Sequence, residues 1–164
     1  MGKVALTGRI PLGYFNDPEK SASTFVESDG RRWVLTGDMA TVDDKGTIVL
    51  LGRGSQVINT GGEKVYPEEV EASLKGHPSV YDAVVVGVPD PRFGQRVCAV
   101  VAAAPGREVT LDELSSHARA DVAGYKLPRE LVVVDQVVRS PVGKADYRWA
   151  RATAMDALGL TEPS

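Results

Sequence analysis

The sequence predicts an α+β fold: a small domain of sheet and packed helices, with the helices on one face of the sheet, preceded by a mostly β segment. Three observations carry that expectation. The apolar pattern switches repeatedly between strand-like alternation and helical spacing, with no internal repeat and no low-complexity tract. The N-terminal third is a β meander punctuated by the turn signals Asp29-Gly30 and Asp43-Asp44-Lys45-Gly46. From Gln56 onward the order is ββ-α-β-β-α-β-α, which suits a small sheet carrying helices. A run with little side-chain bulk, Gly52-Arg53-Gly54-Ser55, suits a bend or hinge and divides the chain into residues 1–52 and 53–164.

Each element has a local cause. Lys3 to Arg9 is a strand candidate. At Asp17-Pro18-Glu19, Asp caps free N–H groups, Pro is tolerated at the first helical position and Glu complements the dipole; this helix should end near Phe25. Arg32 to Leu35, Met39 to Val42 and Thr47 to Leu51 follow as strands. Gln56 to Asn59 is a further strand, with Gly61-Gly62 turning the chain to Lys64-Val65-Tyr66. Pro67-Glu68-Glu69 starts a second helix by the same capping logic, Val70 and Leu74 share its apolar face, and Gly76 and Pro78 stop it. Asp82 to Val88 and Arg96 to Ala103 are strongly apolar strands that pair through Pro89-Asp90-Pro91. Thr110 and Glu113 form a capping box for a helix to about Val122. Glu130 to Asp135 is the last strand, and Ala145 to Leu158 the last helix.

The 164 residues are 43% hydrophobic and 25% charged, enough apolar material for a core and ordinary for a globular chain. The net charge of -3 argues against nucleic-acid binding, which needs a basic face to displace counterions. No apolar run reaches the about 18 residues that span a bilayer, and residues 1–10 lack a signal-peptide apolar stretch. A single cysteine, Cys98, cannot close an internal disulfide, so the expected setting is cytoplasmic, with peripheral membrane association left open.

Several signatures fail on inspection. A Walker A loop ending at Gly143-Lys144 would need glycine where Val138 stands and Ser or Thr where Ala145 stands. A dinucleotide fingerprint at Gly52-Arg53-Gly54 would need glycine at Val57. No Gly-x-Ser-x-Gly elbow occurs. His77 and His117 are isolated from each other and from the cysteine, so no metal site is expected. Cys98, mid-strand in an apolar run, is expected to be a buried, inert core residue.

Three clusters suggest chemistry. In Thr36-Gly37-Asp38 a carboxylate after a glycine can accept hydrogen bonds from a sugar diol. Gly52-Arg53 and Thr60-Gly61-Gly62-Glu63-Lys64 combine an arginine suited to ribose or phosphate with a glycine pair that lets a ligand run close to the backbone. Arg139-Ser140-Pro141-Val142-Gly143-Lys144 presents a lysine on a Pro/Gly loop, a mobile cation for a phosphate or carboxylate. Taken singly, these also read as a turn aspartate, a solvated hairpin loop and a surface lysine.

Together and in this order, the clusters resemble the adenylate-forming superfamily of acyl-CoA synthetases, peptide-synthetase adenylation domains and luciferases. The resemblance covers almost the whole chain. Gly13-Tyr14-Phe15 with Asp17-Pro18-Glu19-Lys20 and Phe25 is similar to the motif upstream of the family's nucleotide aspartate, and Trp33-Val34-Leu35-Thr36-Gly37-Asp38 to the motif that holds it. Gly52-Arg53 through Gly61-Gly62-Glu63-Lys64-Val65-Tyr66-Pro67-Glu68-Glu69-Val70-Glu71 resembles the hinge and the start of the C-terminal domain. Val88-Pro89-Asp90 with Gly94, then Tyr125-Lys126-Leu127-Pro128, then Ser140-Pro141-Val142-Gly143-Lys144 fit its middle and last motifs. The stretch Asn59 to Glu71 looks most like bacterial fatty-acyl-CoA synthetases.

The resemblance implies that residues 1–52 are the C-terminal edge of a larger AMP-binding domain and residues 53–164 a mobile lid. It implies activation of a carboxylic acid, of fatty-acid type, by ATP to acyl-AMP, then displacement of AMP by coenzyme A. Asp38 would bind the ribose hydroxyls and Arg53 the ribose or phosphate. Lys144 would be the catalytic cation between carboxylate and phosphate, and Gly61, Gly62 and Lys64 would line the coenzyme A path. Ser55 stands where the family often has Asp or Lys as its hinge. The Gly/Ser/Thr-rich phosphate loop and the acyl pocket lie upstream in the family, and Mg2+ would be bound mainly by that missing N-terminal domain. The implied partners are a small-molecule carboxylic acid, the missing N-terminal domain and, through strand edges exposed without it, a second copy as a homodimer. The isolated chain is expected to be inactive. The alternatives are a non-catalytic nucleotide-binding or interaction module, and an adenylation domain loading a carrier protein, which a carrier domain after Ser164 would support.

Overall fold

The computed structural model describes residues 1–161, apart from the side chain of Ser55. The chain divides into two compact units, one running to Ser55 and one starting at Gln56. No helix among the described residues is long and apolar enough to cross a membrane.

The first unit contains β1 (Gly2–Thr7), α1 (Pro18–Thr24), β2 (Phe25–Ser28), β3 (Arg31–Val42) and β4 (Ile48–Arg53). The long strand β3 is its spine. It pairs antiparallel with β1 along one edge, while β2 (Phe25↔Val34 to Ser28↔Arg31) and β4 (Asp38↔Arg53 to Val42↔Ile48) share the other. Asp17 caps α1, its Oδ1 accepting from the Lys20 N–H at 3.0 Å. No described residue of this unit is buried, and Leu6, Leu12, Phe15, Ile48 and Leu50 are all exposed.

The second unit contains β5 (Ile58–Thr60), β6 (Glu63–Val65), α2 (Pro67–Lys75), β7 (Val80–Asp90), β8 (Gly94–Ala103), α3 (Leu111–Ala118), β9 (Glu130–Val134) and α4 (Tyr147–Ala157). The hairpin β7–β8 is its frame, in register from Asp82↔Ala102 to Asp90↔Gly94, with a bulge between Val80 and Asp82. On the other side of β8, β9 runs parallel over Cys98–Ala102, and β5 joins at Thr60↔Gly94. Because side chains alternate along a strand, the two faces collect different partners. Ala83, Val85, Val97, Ala99 and Val101 pack against Val70 and Leu74 of α2 and Leu114 and Ala118 of α3. Val84, Val86, Val88, Cys98 and Val100 pack against Ala150 and Ala154 of α4. Each fully buried Val or Leu contributes about 1.5–3 kcal/mol relative to exposure.

Strand β7 is an edge, and side chains cover it. Glu71 Oε1 accepts the Val85 N–H at 2.9 Å, and Arg151 Nε donates to the Gly87 carbonyl at 3.1 Å. Those groups would otherwise template pairing with another chain.

The structure corrects the sequence expectations at several points. The helices lie on both faces of the sheet, because β7 and β8 are apolar on both sides. Thr36-Gly37-Asp38 ends no strand: Arg31–Val42 is continuous, with a bulge opposite Val4 where Gly37 takes φ 84°. Strand β2 is unanticipated, pairing with β3 across the Asp29-Gly30 turn. A 3₁₀ turn, Gly54–Gln56, precedes β5 instead of a strand from Gln56. Helix α2 has no side-chain cap at Tyr66; Pro67, which has no N–H to satisfy, starts it, and the Glu69 N–H closes on the Tyr66 carbonyl at 3.2 Å. Helix α3 stops at Ala118 and tightens into i→i+3 turns, with the Asp121 N–H on the Ala118 carbonyl at 3.0 Å, which bring Val122 into the core.

Candidate functional site

In the first unit, Asp38 and Arg53 stand opposite each other on β3 and β4. Arg53 Nε lies 3.7 Å from Asp38 Oδ1, with the arginine side chain 63% exposed and the aspartate 35% exposed. Thr36 Oγ1 accepts the Asp38 N–H at 3.3 Å and donates to the Val4 carbonyl at 3.3 Å, which ties the Asp38 backbone to β1. A cleft of about 390 Å³ beside them is lined by Lys3, Thr36, Gly37, Arg53 and their neighbours. Of the pair, Arg53 lines this cleft, and a guanidinium with a carboxylate beside it can serve an anion and a diol together.

In the second unit, Gly61 and Gly62 form the turn between β5 and β6, both with positive φ (60° and 90°). The Gly61 N–H donates to the Phe93 carbonyl at 2.9 Å, and a Cβ there would stand 3.0 Å from Phe93 Cδ1. Glycine at 61 is favoured by φ, and a Cβ there would need the Phe93 ring to shift by a few tenths of an ångström. Gly62 faces open space, so a ligand can approach its backbone. Lys64 is exposed and makes no ion pair among the described residues.

Lys144 is also exposed, on the loop between β9 and α4. The loop closes through its own backbone: the Gly143 N–H reaches the Ser140 carbonyl at 2.8 Å, and the Ser140 N–H reaches the Lys144 carbonyl at 2.8 Å. Ser140 Oγ accepts the Lys144 N–H at 3.1 Å. Gly143 turns the chain at φ 80°. Arg139 donates to the Gly143 carbonyl at 3.0 Å and, through Nε and the second terminal nitrogen, to both Asp82 oxygens at 2.7 Å each. Sequence reasoning missed Asp82. Its partner lies 57 positions away, and no local pattern marks it.

The structure does not bring the glycine turn and Lys144 together. Gly61 is fastened at Phe93, where β8 begins, whereas the Lys144 loop is fastened at Asp82, near the start of β7 and opposite Ala102. From Asp82 to Asp90 a strand covers roughly 26 Å at about 3.3 Å per residue. Ser55, the expected hinge residue, lies in the 3₁₀ turn Gly54–Gln56, and its side chain lies outside the described residues.

The remaining candidates are structural. Cys98 is buried, and burial, with the Glu130 carboxylate adding to it, pushes its thiol up to about 12. His77 and His117, far apart in sequence, meet edge to face with ring centroids 5.1 Å apart where α2 and α3 pack. Lys126 of the Tyr125-Lys126-Leu127-Pro128 motif grips both Glu69 oxygens, at 2.8 and 2.7 Å. Among the described residues no group of three or more His, Cys, Asp or Glu could hold a metal ion.

Residues 69–144, the stretch from α2 to the exposed lysine, match the AMP-binding enzyme C-terminal domain. The chain carries an AMP-binding enzyme C-terminal domain. It is 60% identical over 160 residues to the 3-oxocholest-4-en-26-oate–CoA ligase of Rhodococcus rhodochrous, covering 98% of this chain and 28% of that protein. It is 59% identical over 150 residues to the medium/long-chain-fatty-acid–CoA/3-oxocholest-4-en-26-oate–CoA ligase of Mycobacterium tuberculosis, covering 92% of this chain and 27% of that one. Among solved structures, o-succinylbenzoate CoA synthetase of Bacillus subtilis, in complex with its acyl-adenylate intermediate, superposes with a TM-score of 0.81 at 30% identity, over 92% of this chain and 30% of that one. The chain thus spans a little over a quarter of the length of the curated relatives it matches. The fold they share, a small mixed sheet with packed helices, agrees with the α+β expectation.

Proposed function

We propose that this chain, within its full-length protein, is the lid and adjoining edge of an ATP-dependent acid–thiol ligase. Its substrate class is a medium- to long-chain fatty acid or a steroid side-chain carboxylate, as the relatives' names suggest. The carboxylate attacks the α-phosphate of ATP, forming acyl-adenylate and releasing pyrophosphate. The coenzyme A thiol then displaces AMP and leaves a thioester. The supporting observation is that the Lys144 loop and the Gly61-Gly62 turn occupy opposite ends of one β hairpin. A rigid domain built this way can offer each end to one reaction centre only by turning, which suits two half-reactions served in sequence.

In this reading residues 1–52 complete the nucleotide-binding domain and residues 53–164 are the lid, pivoting near Ser55. Asp38 accepts from the ribose hydroxyls, and Arg53 contacts ribose or phosphate. Lys144 sits between the carboxylate and the phosphate oxygens, offsetting their repulsion and stabilising the charge that develops between them. In the other pose Gly62 lets the pantetheine arm pass close to the backbone, with Gly61 shaping the turn and Lys64 supplying a cation. Mg2+ accompanies ATP, and its ligands come from the rest of the protein. The exposed edges of the first unit pair with that larger domain; without it they pair two copies of the chain. The enzyme works in the cytoplasm, where ATP and coenzyme A are available.

The test separates the half-reactions in the full-length protein. Lys144→Ala should lower acid-dependent pyrophosphate release by about a hundredfold or more, the scale of losing one transition-state electrostatic contact. Thioester formation from supplied acyl-adenylate should remain. Equal loss of both half-reactions would refute the role given to Lys144.

A further inference from the structure

The Lys144 loop has almost nothing to rest on. Pro141, Val142, Gly143 and Lys144 are all exposed, Val142 at 78%, so no apolar packing fixes their shape. Backbone turns alone leave such a loop free to move as a unit. Yet a catalytic cation must be held to within a fraction of an ångström of its productive position.

The fixed point lies on β7. Asp82 is anchored there, its Oδ1 accepting the Ala83 N–H at 2.8 Å, with Lys75 Nζ of α2 at 3.8 Å. Both carboxylate oxygens face Arg139 in a bidentate pair, which fixes the plane of the guanidinium as well as its place. The third nitrogen of that plane points at the Gly143 carbonyl, one peptide before Lys144. An antiparallel bridge, Arg139↔Ala145, closes the ring around the lysine. Beyond the loop, the Tyr147 phenol at the start of α4 lies beside the buried Glu71 carboxylate, which also faces Lys75 at 3.8 Å. Both ends of the loop are therefore tied to one charged cluster on α2 and β7.

We propose that Asp82 and Arg139 are positioning residues for Lys144: the bidentate pair refers the loop to the β7–β8 frame and so sets where the lysine ammonium stands during acyl-adenylate formation. This rests on the role given to Lys144 above. Neither residue touches substrate. Lysine cannot replace Arg139, because one ammonium cannot grip both Asp82 oxygens and still reach the Gly143 carbonyl.

The variants Arg139→Lys and Asp82→Asn, made in the full-length protein, test the clamp with two readouts. The first is amide hydrogen exchange. Peptides covering residues 140–145 should exchange about tenfold faster, while the β7–β8 amides stay protected. The second is the pair of half-reactions. Acid-dependent pyrophosphate release should fall about 10- to 100-fold, the scale expected for a misplaced catalytic group, with thioester formation from supplied acyl-adenylate within about threefold of the parent. The double variant should be little worse than either single one, since both remove the same contact. Unchanged exchange in the loop overturns the proposal, as does equal loss of both half-reactions, which would mark the pair as a fold contact only. If Lys144→Ala itself spares adenylation, the assigned role of the lysine fails separately. Loop exchange in Arg139→Lys then decides the clamp alone: faster exchange supports it and unchanged exchange overturns it.

Discussion

The two units of this chain are built from similar amounts of strand and stand in opposite relations to water. In the second unit a five-stranded sheet is sandwiched between α2 and α3 on one face and α4 on the other, and both faces of β7 and β8 are dry. In the first, four strands pair, with bulges in two of the three pairings, yet no described residue is buried, and β4 exposes Ile48, Val49 and Leu50 in succession. Hydrogen-bonded strands alone do not make a domain. A sheet becomes stable when something apolar covers it, and the first unit carries no such layer of its own. The same difference governs the candidate sites: Lys144 is referred to a rigid frame, Asp38 and Arg53 to a sheet without a core.

The sharpest way to break this contrast is to divide the chain. Residues 56–161 alone should give a cooperative thermal transition, and residues 1–55 alone should give none by circular dichroism. A cooperative melt of the short fragment would show that its sheet is self-sufficient. A milder version uses single substitutions in the full chain. Leu114→Ala, at a fully buried position, should cost about 2–5 kcal/mol. Leu50→Ala, at a 66% exposed position, should stay within about 0.5 kcal/mol in the same denaturant titration.

The elements legible in the sequence are those whose cause is local. Asp17-Pro18-Glu19 and Thr110 with Glu113 carry their own caps, and the structure forms both, including the reciprocal capping box. The runs of β7 and β8 are apolar enough to be unmistakable. What escapes is what depends on partners. Phe25–Ser28 is too short to signal a strand until β3 lies beside it, and Thr36-Gly37-Asp38 looks like a turn because it is a bulge, with Gly37 at φ 84°, inside a strand that neighbours on either side carry through. Strands apolar on both faces cannot announce which face receives which helix. Asp38, Arg53, Gly61, Gly62, Lys64 and Lys144 are candidates that motif order alone singles out. Arg139 sits inside a legible motif, but its meaning depends on Asp82, and nothing in the local pattern joins the two.

The charged cluster offers a sharper contrast within the second unit, because two of its carboxylates titrate in opposite senses. Asp82 is lowered from 3.8: burial works against that, but the hydrogen bonds from Arg139 and Ala83 and the charges of Arg139 and Lys75 outweigh it. Its contribution is therefore present above about pH 4 and lost as pH falls through its depressed value. Glu71 is raised from 4.5, chiefly by burial, with the Val85 N–H and Lys75 opposing. Its contribution is fully present below about 4.5 and lost as pH rises through its raised value. Asp82→Asn should flatten the acid limb of stability against pH and cost about 1.5–3 kcal/mol at neutral pH, the range for hydrogen bonds to charged groups. Glu71→Gln should flatten the opposite limb at smaller cost, since the amide oxygen still accepts the Val85 N–H. Identical pH profiles for the two variants would contradict the assignment.

The smallest effect on stability belongs to the Asp38–Arg53 pair. Its 3.7 Å separation and largely open arginine place it among surface ion pairs, where solvent screens the attraction and ordering two side chains offsets what remains. In a double-mutant cycle on Asp38→Asn and Arg53→Gln, the coupling measured in denaturant should be below about 0.5 kcal/mol. If the same residues hold ribose and phosphate, each substitution should nonetheless raise the KM for ATP about tenfold in the full-length protein, the scale of losing one charge-assisted hydrogen bond worth roughly 1.4 kcal/mol. A pair that costs little to break and much to lose in turnover has a ligand as its main partner. A large stability coupling with an unchanged KM would reverse that inference and make it a strut between β3 and β4.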